Sequence, residues 1–185
     1  MQATRLVQLA RARGGRIAVA ESLTGGRLAD AIVSVPGASM AFSGGIVAYD
    51  TDLKHRLLGV DDALLRRVGP VDPEVARQMA SGVRRVCAVP RIDEAGGGGA
   101  EPATLLGIAT TGVAGPDPDP QSGQAPGTVW IGVSIADPDA KSGARVWAVP
   151  ASHLSGSRED IRAAAVGQAV RLAECALQGE FHELE

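Results

Sequence analysis

Histidine is scarce in this chain. His55, His153 and His182 stand apart among 185 residues. None belongs to an H-E-x-x-H or C-x-x-C pattern, so no metal site is expected. A Ser-His-Asp triad has only His153, near the start of the last helix, to draw on. Aromatic residues make up only 3%. The core must then be built from Val, Leu, Ile and Ala, which suits layers of strand and helix better than an aromatic-rich sandwich. Cysteine occurs twice, as Cys87 and Cys175, each in an apolar helical stretch. Two free thiols in a reducing compartment are expected. Neither a P-loop signature nor a G-x-G-x-x-G after a strand is present, which excludes the two common nucleotide fingerprints. No apolar run approaches membrane-spanning length and no signal pattern opens the chain, so a cytoplasmic protein without a membrane partner is expected. A basic excess is missing too: 18 Lys and Arg face 21 Asp and Glu. The arginines fall in small groups (Arg5, Arg11, Arg13, Arg16; Arg84, Arg85), which argues against a nucleic-acid partner.

What is present is 45% hydrophobic and 21% charged residues, the balance of a globular protein. The length fits one domain, residues 1–185. The chain is organised around Glu21-Ser22-Leu23-Thr24-Gly25-Gly26, which follows the apolar run Ile17 to Ala20 and precedes Leu28, Ile32 and Val33 at helical spacing. This reads as buried strand, tight turn and helix. Such a turn puts a hydroxyl at the carboxyl end of a strand, where open α/β sheets hold their sites. Gly25 and Gly26 allow close approach to the backbone, and the first turn of the helix favours negative charge. Ser22 is thus a candidate nucleophile beside an oxyanion hole. The plainer alternative is that Ser22 or Thr24 caps the helix and the glycines serve only the turn.

Along the chain, residues 2–12 read as a helix ended by Gly14-Gly15. After the serine turn, the second helix stops at Val35-Pro36-Gly37, and Ser43 to Tyr49 reads as a strand. Asp50 or Thr51 caps a short helix carrying Leu53, Lys54, Leu57 and Leu58. Asp72-Pro73-Glu74 starts another helix, with Val75, Met79, Val83 and Val86 as its apolar stripe. Residues 91–103, with four consecutive glycines, read as a flexible insert. Leu105 to Thr110 is a strand running into Thr111-Gly112-Val113-Ala114-Gly115-Pro116, and Asp117 to Pro126 a polar loop. Thr128–Ala136 and Ala144–Pro150 form a hairpin, which makes the sheet mixed. Ser157 caps a last helix lined by Ile161, Ala165, Ala169 and Leu172. The fold expected is a three-layer α/β/α sandwich with a mixed central sheet.

A serine enzyme so poor in histidine needs another base, and Lys54 is the candidate if burial brings its pKa towards neutrality. Tyr49 could relay a proton or orient the amine. Taken alone, a lysine so placed is more often a solvated helix lysine.

Ala20 to Gly26, then Gly44 to Tyr49 with Lys54 and Leu58-Gly59-Val60, resemble the CinA C-terminal domain family. Gly69 to Ala76, Thr111 to Pro116, Pro126-Gly127-Thr128-Val129, Ser155 to Arg158 and Ile161-Arg162 continue the resemblance in order, from about residue 3 to about 178. It implies a cytoplasmic amidohydrolase of pyridine nucleotide recycling that turns nicotinamide mononucleotide into nicotinate mononucleotide and ammonia, without a cofactor. It assigns Ser22 as nucleophile, assisted by Lys54 and Tyr49. The substrate would be bound by Thr24, Gly25, Gly26, Thr111, Gly112 and by Arg158 or Arg162, an arginine suiting the 5′-phosphate. Backbone N–H groups from Thr24 to Gly26 would hold either the oxyanion or the phosphate. Departures are Leu23, where many relatives carry cysteine, Gln124, where lysine is frequent, and the glycine-rich insert. Longer members also carry an N-terminal domain, whose activity is expected to be absent here. A homo-oligomer is expected. The alternatives are a non-catalytic nucleotide-binding module and an amidase for another small amide.

Overall fold

Five strands form one mixed sheet in the order β2-β1-β3-β4-β5. The structure, a computed structural model, describes residues 3–88, 104–152 and 154–185. The insert expected at 91–103 and His153 lie outside the described residues. The elements are α1 (Thr4–Ala12), β1 (Arg16–Glu21), α2 (Arg27–Val33), β2 (Phe42–Val47), α3 (Thr51–Leu58), α4 (Asp62–Val68), α5 (Pro73–Val86), β3 (Thr104–Gly112), β4 (Val129–Ala136), β5 (Ala144–Pro150) and α6 (Arg158–Gln178). Short 3₁₀ turns at Ala38–Met40 and Phe181–Glu183 complete them.

Strand β1 is parallel to both β2 and β3, while β3–β4 and β4–β5 are antiparallel. Alternation along β1 sorts its side chains between two cores. Ile17 and Val19 join α1, α2 and α6 on one face; Ala18 and Ala20 join α3, α4 and α5 on the other. That is the α/β/α sandwich with a mixed sheet that the sequence leads one to expect. Helix α5 lies directly on the sheet, because a Cβ on Gly107 or Gly132 would collide with the carbonyls of Ala80 and Ala76.

The caps follow the sequence. Asp50, Asp72 and Ser157 each accept from a backbone N–H of the helix they precede, and Pro73 opens α5. Helix α4 has no counterpart among the expected elements. Asp61 caps it, and Leu64 and Leu65 bury its inner side. Two residues of the expected apolar stripes, Val33 and Val86, face outward at the last positions of α2 and α5. Cys87 and Cys175 are free thiols, Cys175 buried and Cys87 half-buried.

Parallel pairing decides where the functional segments meet. Because β1, β2 and β3 run the same way, with Glu21 opposite both Val47 and Thr110, their carboxyl ends lie side by side. The Ser22 turn, the Tyr49–Lys54 stretch and the Thr111–Gly115 loop all leave the sheet at this one edge.

Candidate active site

A cleft of about 380 Å³ opens at this edge. It is lined by Ser22 and Leu23 after β1, by Tyr49, Thr51 and Lys54 after β2, and by the Thr111–Gly115 segment at the end of β3; Arg158 of α6 closes one side.

Lys54 is the chemically decisive residue. It sits on the inner side of α3 with Leu58 one turn further on, and its side chain is fully buried. Its Nζ donates to the Ala48 carbonyl at 2.8 Å and lies 3.0 Å from Ser22 Oγ. Burial penalises the ammonium and lowers its pKa from 10.5 to about 8, with the nearby Asp50 carboxylate pulling in the opposite direction. A substantial neutral fraction therefore exists at mildly alkaline pH. In that form Nζ keeps its bond to Ala48 and has a lone pair for the Ser22 proton.

Ser22 is held by its backbone: its N–H donates to the Thr110 carbonyl at 2.9 Å. Beyond it, Gly25 and Gly26 adopt φ of +58° and +97°, a left-handed pair that only glycine forms without strain. Four N–H groups of the turn and the helix start are engaged within the protein. Gly26 and Leu28 donate to Glu21 Oε2 at 2.9 and 3.0 Å, Ala29 to Oε1 at 2.8 Å, and Gly25 to the Ser22 carbonyl at 3.2 Å. Thr24 is buried, its hydroxyl 2.7 Å from that of Thr110. Thr24, Gly25 and Gly26 are not on the cleft wall. Of the N–H groups expected to hold the oxyanion or phosphate, Gly26 is thus taken by Glu21 and Gly25 by the Ser22 carbonyl, while no described residue accepts from that of Thr24 or of Leu23 beside it.

The two candidate arginines separate. Arg158 lines the cleft, donating to Gly115 O and to the Tyr49 hydroxyl, both at 2.6 Å. Arg162 turns the other way, to the carbonyls of Leu23 at 2.8 Å and Thr24 at 3.0 Å. Tyr49 is 59% exposed, and its partner is Arg158, not Lys54 or Ser22. Thr111 and Gly112 lie on the wall, with the Thr111 hydroxyl donating to Pro70 O at 2.6 Å. Gln124 is off the cleft and ties its loop to the carbonyl of Val71. Among the described residues no three His, Cys, Asp or Glu side chains group as metal ligands.

Sequence reasoning missed Glu21 as part of this arrangement. The signal was available: α2 begins after two glycines, which have no side chain with which to cap it. Its first N–H groups need an acceptor from elsewhere, and the carboxylate just before Ser22 is the nearest one.

The CinA C-terminal domain model matches residues 1–177. A CinA-like protein of Frankia casuarinae is 41% identical over 167 residues, 90% of this chain and 33% of that protein. A putative competence-damage inducible protein of Geobacillus kaustophilus is 37% identical over 159 residues, 86% of this chain and 33% of its own length. The chain spans about a third of the length of these curated relatives. Among solved structures, a competence-damaged protein (CinA) superfamily protein of Klebsiella pneumoniae superposes with a TM-score of 0.76 at 25% identity, covering 96% of each chain. The competence/damage inducible protein CihA of Agrobacterium tumefaciens gives 0.72 at 27%, covering 94% of this chain and 96% of that one. The chain belongs to the CinA C-terminal domain family.

Proposed function

We propose that this chain is an amidohydrolase that converts nicotinamide mononucleotide into nicotinate mononucleotide and ammonia. The observation that carries the reading is the buried Lys54 Nζ, 3.0 Å from Ser22 Oγ on the wall of a cleft. A lysine at that depth with a pKa near 8 is a base poised next to a hydroxyl. The substrate comes from the resemblance of the motifs to the family, and a second support is the cationic Arg158 on the same cleft.

Neutral Lys54 takes the Ser22 proton as Oγ attacks the carboxamide carbon. The tetrahedral adduct collapses by breaking its C–N bond, and the Lys54 ammonium returns the proton to the departing nitrogen, so ammonia leaves. Water, deprotonated by the same amine, then cleaves the acyl-serine ester and frees the carboxylate. The pyridinium ring withdraws electrons and makes the carboxamide a better electrophile. Arg158 has three N–H groups beyond the two committed to Gly115 and Tyr49, enough to grip the 5′-phosphate. With the α2 amides engaged by Glu21, the oxyanion draws its donors from the Leu23 N–H beside the nucleophile, from which no described residue accepts, and from the Thr111–Gly115 wall. There no described residue accepts from the Ala114 or Gly115 N–H.

The test is ammonia release from nicotinamide mononucleotide by the purified protein and its Ser22→Ala variant. Wild-type turnover that vanishes in the variant supports the reading. No ammonia from the wild type, or an active alanine variant, removes it. Nicotinamide riboside as substrate separates this activity from a general small-amide amidase, since Arg158 then has no phosphate to hold.

A further inference from the structure

We infer that Glu21 and Arg162 are positioning residues, which together hold the nucleophile turn from its two chemically opposite sides and aim Ser22 Oγ at Lys54. The inference rests on Ser22 being the nucleophile.

The turn between β1 and α2 presents N–H groups on one side and carbonyls on the other. Glu21, only 1% exposed, takes the N–H side. Its Oε2 accepts from Gly26 and Leu28 and its Oε1 from Ala29, so three of the amides that begin α2 end on one carboxylate. Arg162 takes the carbonyl side. Its Nε reaches Leu23 O and its Nη2 reaches Thr24 O, two consecutive peptides immediately after Ser22. The guanidinium fork matches two neighbouring carbonyls as no single ammonium can. Glu21 is also fixed at its own backbone, its carbonyl accepting from Ala48 N–H at 2.8 Å. Ala48 is the residue whose carbonyl holds Lys54 Nζ. Nucleophile and base are therefore referenced to the same pair of neighbouring strand ends.

Two consequences follow. The carboxylate occupies the helix start, so the anionic part of a substrate is excluded from it and is left to Arg158. Arg162 has its Nε and Nη2 on protein carbonyls beneath the turn, so its loss acts on Ser22 geometry and not on substrate affinity.

The Glu21→Gln variant keeps the shape. Its amide oxygen can accept from Gly26 and Leu28, but its NH₂ then meets the Ala29 N–H, donor against donor. Misplacement of a reacting group by about 1 Å is worth roughly 100-fold in rate. Accordingly Glu21→Gln and Arg162→Ala are expected to lower kcat about 10- to 100-fold with KM within about threefold, and Arg162→Lys to recover part of the loss. In parallel, the rate of covalent modification of Ser22 by a sulfonyl fluoride, read by mass spectrometry, is expected to fall by a similar factor in both variants. Circular dichroism at the assay temperature confirms that the variants are folded. An Arg162→Ala variant whose KM rises while kcat holds would make Arg162 a substrate contact and overturn its part. Wild-type labelling speed and wild-type kcat in Glu21→Gln would overturn that of Glu21. A wild-type enzyme that is never labelled at Ser22 would overturn the nucleophile assignment, and the positioning roles with it.

Discussion

Tyr49 and Arg158, 109 residues apart in sequence, share a 2.6 Å hydrogen bond in which the guanidinium donates to the phenol oxygen. The tyrosine follows β2 and the arginine opens α6, so the bond closes the mouth of the cleft across the sheet edge. Tyr49→Phe removes this bond and leaves Arg158 its second anchor at Gly115 O. The expected outcome is a KM for the nucleotide raised about three- to tenfold, as for one hydrogen bond of about 1 kcal/mol, with kcat little changed. Arg158→Ala is expected to raise KM further, by 10-fold or more. Steady-state kinetics of the two variants check this. A Tyr49→Phe enzyme with kcat down 100-fold and KM unchanged would put the phenol on the proton path.

The pH dependence of turnover follows from Lys54. The amine must be neutral to accept the Ser22 proton, and its pKa is about 8. The rate is expected to rise through that region and level off above it. Lys54→Arg keeps a cation that holds its proton throughout and is expected to be inactive at every pH. A pH–rate profile of both proteins measures this; an active arginine enzyme would end the general-base role.

Much of this was legible because local chemistry and tertiary structure agree. Asp50, Asp72-Pro73 and Ser157 announce their helices by caps that work in any context. The alternation at Ile17 to Ala20 fits a strand buried on both faces. Ser22 could be singled out by its place after a buried strand and Lys54 by the want of a histidine base, whereas Arg158 or Arg162 came only with the resemblance to the family. The division of labour between these arginines was not legible. The two lie four apart on one face of α6, and which reaches the cleft depends on how that helix crosses the sheet. Glu21 left only an indirect sign, the pair of glycines that cannot cap α2, because a carboxylate at a strand end shows its partners only once the following helix folds back over it. Helix α4 is only 7 residues long, too short for a period to stand out.

The contact of α5 with the sheet makes a stability prediction independent of activity. A Cβ on Gly132 would run into the Ala76 carbonyl, which is backbone and cannot rotate away. Gly132→Ala is expected to destabilise the fold by about 1–3 kcal/mol through overpacking. Urea unfolding followed by circular dichroism reads the change, and an unaltered midpoint would mean that α5 sits further from β4.

The last prediction joins stability to the same lysine. Folding lowers the Lys54 pKa from 10.5 to about 8, so between those values the unfolded chain binds the proton that the native state has lost. Stability must then rise with pH across this window. Below pH 8 both states are protonated and the native state carries the full penalty of a buried ammonium, about 3 kcal/mol at 1.36 kcal/mol per unit. Above 10.5 both states are neutral and the penalty is gone. Lys54→Met removes the titrating group while filling similar space. Its loss of two hydrogen bonds, to Ala48 O and Ser22 Oγ, works at about 1 kcal/mol each against the relief from burying a charge. The sign of the net change at pH 7 is therefore a small difference, but the slope is not. From pH 8 to 10.5 the wild type is expected to gain about 3 kcal/mol relative to the methionine variant. Denaturant unfolding of both proteins at pH 7, 8, 9 and 10.5 measures it. Parallel curves would show that Lys54 titrates as an ordinary surface amine, and the base in this site would have to be sought elsewhere.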